Sequence, residues 1–539
     1  MKKSVISLLF AGALCISMLA GCGKSNDSVS TGSAEESTKV SSEDSTKKEL
    51  VFVNFRDIRD LNPHLFGGEM YAQELIFETL IAMNNEGGFE GCLSDSWEIS
   101  EDGKVYTFHI RPEVHFTDGL LCDANAIKAN FDAIIDNKSR HVWTWMNFMV
   151  GVSAPDADTF VIELTEPYYP LLTELAVTRP FAIISPNCMK DGKTKDGVNG
   201  FIGTGPYVLA DFVTDEYATF EVNKTYWGEK PEIGKITAKV IEDNQTRLLA
   251  LEKGEIDIIY GKNMIDADAV LKFQKNDKIK VELSKPASTR MLLLNTTDEI
   301  LSDLTVRQAL QHTVNKAAIS KGVFYDIEQP ADTLYAPTMP YCDVKLEPYK
   351  YDVEVAASLL DQAGWILGED GVRKKDGKNM ELELLYNADS VTEKTISEFL
   401  QSELETLGVT LNITGQEEQS YRDNMKAGNF DIVFNIAWGT PYDPQSSLAA
   451  MREPCYGDYA AQQGLDNKAE IDQAITKVLT TTTEKERQEL YDYILTSFHD
   501  SAVYIPLTYE CNKTIYRSDL KGVHFPVSQY IIPFWDMSF

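Results

Sequence analysis

Groups able to do chemistry are plentiful in this chain of 539 residues, but few of them stand in a working pattern. The seven histidines are scattered, and His109 and His115 fall on strand-like text rather than at metal-ligand spacing on a helix. No G-x-S-x-G elbow and no H-E-x-x-H helix occurs. Residues 228–235, GEKPEIGK, approach a phosphate loop. They carry one residue too many between the glycines, and Ile236 stands where a Mg²⁺-binding Ser or Thr is required. Six cysteines lie beyond residue 22 (Cys92, Cys122, Cys188, Cys342, Cys455, Cys511), and none forms a CxxC pair, so no zinc or thioredoxin-like motif is visible. One stretch does combine suitable groups. In 431–459 a short apolar run, 431–436, reads as a buried strand. It runs into a Gly/Pro-rich turn carrying Trp438 and Tyr442, and a helix over 446–451 should follow. Single aromatics are usually core. Two on one loop without apolar periodicity, at the carboxyl end of a strand, point to a wall for a ligand.

The elements needed to position such a wall can be read along the chain. Strands are predicted over 49–54, on both sides of the turn 101–104 within 93–119, and over 159–165, 256–260, 382–386, 409–413 and 502–507. Helices are predicted over 70–83, 124–136, 244–253 (ended by Gly254), 304–319, 353–363 (ended by Gly364), 397–407, 471–478 and 484–500. Strands and helices mix without a repeat, and the length exceeds one ordinary core. The expected class is therefore α/β with two lobes, the first discontinuous in sequence, and a cleft between lobes is a preferred ligand location.

The N-terminus gives an address. Lys2 and Lys3 precede an apolar segment too short to span a bilayer, which ends Leu19-Ala20-Gly21-Cys22. That ending resembles a bacterial lipobox, so residues 1–21 read as a lipoprotein signal peptide and Cys22 as the lipidated first residue of the mature chain. Residues 22–48 are almost free of apolar side chains and read as a flexible tether. The expected location is the extracytoplasmic face of the membrane, with membrane contact only through the lipid. The formal net charge of −33 argues against a nucleic-acid partner. Export, a tether and two lobes suit capture better than catalysis, so no enzymatic activity is expected.

Several further stretches point to one family. Residues 93–119, Gly203-Thr204-Gly205-Pro206-Tyr207, Asn223-Lys224-Thr225-Tyr226-Trp227-Gly228, Val306-Arg307-Gln308-Ala309-Leu310 and 356–365 resemble the family 5 solute-binding proteins of ABC importers. The likeness runs from about residue 49 to the C-terminus. It implies a two-lobed, type II periplasmic-binding-protein-like fold with an extra subdomain in lobe one and a hinge of two crossing segments. Lobe one would span 49–287 with the subdomain at about 93–202, lobe two 288–508, and 509–539 would return to lobe one. Within the family the text is similar to nickel- and metallophore-binding members, on Asp60-Leu61-Asn62-Pro63-His64-Leu65, 136–143, Arg179-Pro180-Phe181, 331–337 and 438–444.

The resemblance implies a pocket lined by Met70, Arg140, Trp143, Arg179, Trp438 and Tyr442, with Tyr530 as a further wall residue. No cofactor is implied. The ligand would be a Ni(II) chelate, with histidine or an opine-type metallophore, whose carboxylates suit a planar, permanently charged guanidinium. Tyr456, preceded by Cys455, occupies the position where relatives carry a metal-reaching histidine, and Gln445 stands where another histidine can occur. The protein's own metal ligands are therefore left open. The expected partners are the ABC permease subunits, and a monomer is expected. An oligopeptide-binding protein of the same family is the alternative. A hydrolase or sensor is the alternative of another class, disfavoured by the missing nucleophile and metal motifs.

Overall fold

Two long strands, Ile279–Leu294 and Tyr504–Arg517, organise the folded body. They run antiparallel along each other from Ile279 opposite Arg517 to Leu293 opposite Tyr504, with register shifts between Leu283 and Ser288 and again at Arg290/Met291. The computed structural model describes residues 49–539 apart from 66, 141–142, 262–263, 439–443, 455 and 529, and at 140, 144 and 438 it describes the backbone alone. The signal peptide, Cys22, the tether, Tyr442 and Cys455 lie outside the described residues.

At one end, Tyr504–Arg517 pairs with Ile258–Tyr260, and the sheet continues through Glu49–Asn54, Lys235–Val240, Tyr217–Val222 and Tyr207–Val213. At the other end, Ile279–Leu294 pairs with Ile432–Trp438, and the sheet continues through Glu381–Asn387 and Thr410–Gln416. Each end has its own core. Phe52, Leu75, Ile236 and Phe534 fill the first, and Leu294, Leu310, Leu384 and Leu400 the second. The result is the two-lobed α/β architecture that the sequence implies, with the shared strands as its only continuous sheet path between the two ends among the described residues. A separate antiparallel sheet, in the order Ser94–Ile99, Val105–Ile110, Thr159–Leu164, Met149–Ser153, is covered by the helix Ala124–Asp136, whose Phe131 packs on Phe160.

Besides shifted bounds, such as the helix predicted over 397–407 that spans Val391–Thr406, three elements differ in kind or extent from the sequence reading. The helix predicted over 70–83 stops at Ile76, because the backbone N–H of Gly205 takes the Ile76 carbonyl, and the chain re-enters as the strand Ile81–Met83. The helix predicted over 304–319 is two helices, Leu304–Thr313 and Lys316–Phe324. Between them β-branched Val314 is extended, and the Asn315 side chain accepts from the Ala318 N–H to cap the second. The strand predicted to end at 507 continues to Arg517, with a bulge-prone register that lets it serve both ends of the sheet.

Candidate functional site

The helix Met70–Ile76 is seated by the glycine turn that follows residue 202. A Cβ on Gly203 would lie 2.1 Å from the Ile76 carbonyl oxygen, and one on Gly205 2.7 Å from the same carbonyl, so only glycine allows this approach. Just beyond, half-buried Glu78 accepts from Thr204 Oγ1 at 2.6 Å, Tyr226 Oη at 2.9 Å and Trp227 Nε1 at 2.8 Å. Burial still raises its carboxyl above the ordinary value, against those three bonds and the nearby Arg111 charge. Two of the stretches behind the family resemblance therefore converge on one acid.

Along that helix stand Glu69, Met70, Gln73 and Glu74. Glu69 accepts from Asn54 Nδ2 at 2.9 Å and forms an ion pair with Arg56 at 2.5 Å. Gln73 donates to the carbonyl of Gly67 at 3.0 Å and fixes the entering loop. Glu74 is buried and accepts from Thr178 Oγ1 at 3.2 Å. Burial pushes its carboxyl up to about 8, with the Thr178 bond and the Arg179 charge pulling the other way.

Arg179 follows in the short turn Thr178–Phe181, where its own backbone is extended (φ −103°, ψ 122°), and its Nη2 donates to the Gly68 carbonyl at 3.2 Å. Burial lowers its ordinary value, while Glu69, Glu74 and Tyr530 act to raise it; it stays a cation. Glu69 is paired with Arg56, and burial keeps Glu74, beside Arg179, mostly protonated at pH 7.

The structure brings Met70, Arg179 and Tyr530 to this wall, and Trp143 joins through Phe181, its ring edge-on at 5.3 Å. The Trp143 Nε1 is buried with no hydrogen-bond partner among the described residues. Arg140 ends the 3-10 turn Lys138–Arg140, three residues before Trp143 in the chain; its side chain is outside the described atoms. Trp438 closes the strand Ile432–Trp438 opposite Ser288, and again only its backbone is described. Tyr456, 43 % exposed, precedes the helix Gly457–Ala461. Gln445 heads the helix Gln445–Ala450 and accepts from Arg487 Nη2 at 2.7 Å. Among the described residues no three His, Cys, Asp or Glu side chains gather as metal ligands. Glu69 and Glu74 escaped the sequence reading, since an acid on an amphipathic helix is ordinarily solvated and nothing in the text marks these two as buried.

Comparison with known proteins bears on this geometry. Residues 88–457 match the model of the bacterial extracellular solute-binding proteins, family 5 Middle. The chain is 39% identical over 483 residues to the nickel-binding periplasmic protein of Escherichia coli K12, covering 89% of this chain and 92% of that one. It is 26% identical to the dipeptide-binding protein of the same organism, covering 80% and 82%. The crystal structure of NikA from Brucella suis in complex with Fe(III)-EDTA superposes with a TM-score of 0.88 at 41% identity, covering 91% of this chain and 99% of that chain.

Proposed function

Because the chain belongs to the family 5 bacterial extracellular solute-binding proteins, we propose that it is the ABC-importer receptor for a chelated divalent metal, nickel held by histidine or an opine-type metallophore. It binds and hands over its ligand and is not an enzyme. The relatives act outside the cytoplasm, and no described helix is long and apolar enough to cross a membrane. Lipidation at Cys22 would hold the body near the membrane, where the permease subunits receive the ligand.

The observation that carries the ligand class is the 39% identity to a nickel-binding periplasmic protein over 89% of this chain, and the Arg179 guanidinium beside a Glu74 that is mostly protonated at pH 7 agrees with it. A guanidinium in that state binds carboxylates of a chelate as a planar fork, and the low local dielectric strengthens the contact. The buried Trp143 N–H supplies a donor for the same anionic guest, and Arg140, Trp438, Tyr442, Tyr456 and Tyr530 complete the proposed lining. The metal's ligands come chiefly from the chelator. Contacts to both lobes favour the closed state, which is the mechanism of capture.

Calorimetry with Ni²⁺ alone, Ni²⁺ with histidine, an opine metallophore and a peptide mixture tests this. Heat with chelated metal only is expected. Tight peptide binding without chelate binding would move the protein to the peptide-receptor reading. Arg179→Ala should weaken chelate binding by about 2–5 kcal/mol, at least about thirtyfold in affinity.

A further inference from the structure

One buried cation lies far from the Arg179 wall in sequence and is not used by the reading above. Arg487, on the helix Glu484–Asp500, is 0% exposed. Its Nη1 donates to the carbonyls of Val478 and Thr481, its Nε to Tyr341 Oη at 3.4 Å, and its Nη2 to Gln445 Oε1 at 2.7 Å. The face of the guanidinium lies against the ring of Tyr169, 3.4 Å from its centroid. The hydroxyls of Tyr169 and Tyr341 are 3.1 Å apart and both donate to Glu484, at 2.9 and 2.6 Å. Tyr341 in turn stacks on Tyr491, centroids 4.9 Å apart and planes 5° from parallel.

Tyr169 comes from the stretch that follows the four-stranded sheet. Tyr341, Gln445, Glu484 and Arg487 all lie in sequence between the two crossing strands. Beside these contacts the seam keeps a gap. A cavity of about 510 Å³, open to solvent, is lined by Tyr106, Tyr169 and Leu172 on one side and Pro340, Tyr341 and Gln445 on the other. The Tyr169 backbone N–H also donates to the Leu479 carbonyl at 2.9 Å, so its ring, hydroxyl and backbone all meet residues that lie between the crossing strands.

We propose that Arg487 is a positioning residue for ligand capture: through Gln445 it fixes the head of the Gln445–Ala450 helix, and through Tyr169 it ties that helix to the other lobe. The proposal rests on the receptor reading above. When the lobes part, Tyr169 leaves the guanidinium and its hydroxyl leaves Glu484. Closure restores both, so the contact adds to the preference for the closed state and slows ligand release. A desolvated guanidinium under an aromatic face gains more than an exposed one, which is why the pair is effective only once the seam shuts.

The test uses the full mature chain and Ni²⁺ with two equivalents of histidine. Tyr169→Ala should bind about tenfold more weakly, with the change in the dissociation rate. Its unliganded form should show a larger radius of gyration by small-angle scattering than the wild type. Tyr169→Phe, which keeps the ring over Arg487, should restore most of the affinity. Arg487→Lys keeps the charge but loses the fork to Gln445, and should match Tyr169→Ala in affinity with an unaltered circular dichroism spectrum. Equal affinity, equal release and equal scattering for Tyr169→Ala and wild type would overturn the proposal. If wild type binds no chelate, the receptor reading for metal falls instead, and the scattering comparison of the unliganded chains still decides for or against the seam contact.

Discussion

At pH 7 the Glu74 carboxyl, pushed up to about 8 by burial, is mostly protonated and does not cancel the Arg179 charge. Above about pH 8 Glu74 ionises beside Arg179, cancels its charge and lowers the affinity for an anionic chelate. Glu74→Gln should remove that alkaline loss, seen as a flat affinity profile from pH 6 to 9 by calorimetry. Stability has the same origin. The folded value lies above the ordinary 4.5, so the unfolded chain releases the proton first, and stability falls as pH rises from about 4.5 to about 8. Thermal melts of Glu74→Gln should show a shallower decline over that window. At this scale the sequence could nominate Arg179, Trp143 and Met70 through a resemblance. It could not supply Glu74 or Arg487, because helical periodicity says which face is apolar and not which charged residue is drawn beneath it. Arg487 in particular reads as one more surface charge in KERQELYDY, and it is fully buried.

Elements that carry their own end signals were legible. The helix Ala124–Asp136 begins where Asp123 accepts from the Ala126 N–H, and Asn244–Lys253 ends at Gly254 in the left-handed conformation (φ 73°). Elements ended by tertiary contact were not. Nothing in MYAQELIFETLIAM says that its helix must stop at Ile76, since the stop is imposed by a turn more than a hundred residues later. That turn gives a sharp prediction. Gly203→Ala forces a Cβ to 2.1 Å from the Ile76 carbonyl oxygen, so the helix bearing Met70 and Glu74 must shift. A loss of about 1–3 kcal/mol or more is expected, measured by urea unfolding, together with weaker chelate binding. Gly254→Ala meets no neighbour within 4 Å and is strained only by its φ, so it should leave ligand affinity unchanged.

For the molecule as a whole, the crossing strands carry a charge cluster where the lobes join. Arg290 pairs with Glu510 and lies 3.8 Å from Glu328, Lys513 reaches Glu328 at 3.6 Å, and Ser288 donates to Glu510 at 2.6 Å. The nearby acids, above all Glu510, raise the Arg290 value against its burial. Breaking such a pair from one side costs about 3–5 kcal/mol. Glu510→Gln should therefore lower the melting temperature, and because both lobes share these strands the transition should stay single in calorimetry. The central place of Glu49–Asn54 has a different outcome. This strand lies between Lys235–Val240 and Ile258–Tyr260, the Val51 N–H bonds Asp257 across 206 residues, and Ile258 then pairs with Tyr516 near the end of the chain. A polypeptide threaded outward N-terminus first has nothing for its earliest strand to pair with until nearly half of it has emerged, and cannot complete the sheet until almost all has. The topology itself postpones completion of the sheet until the last long strand is available.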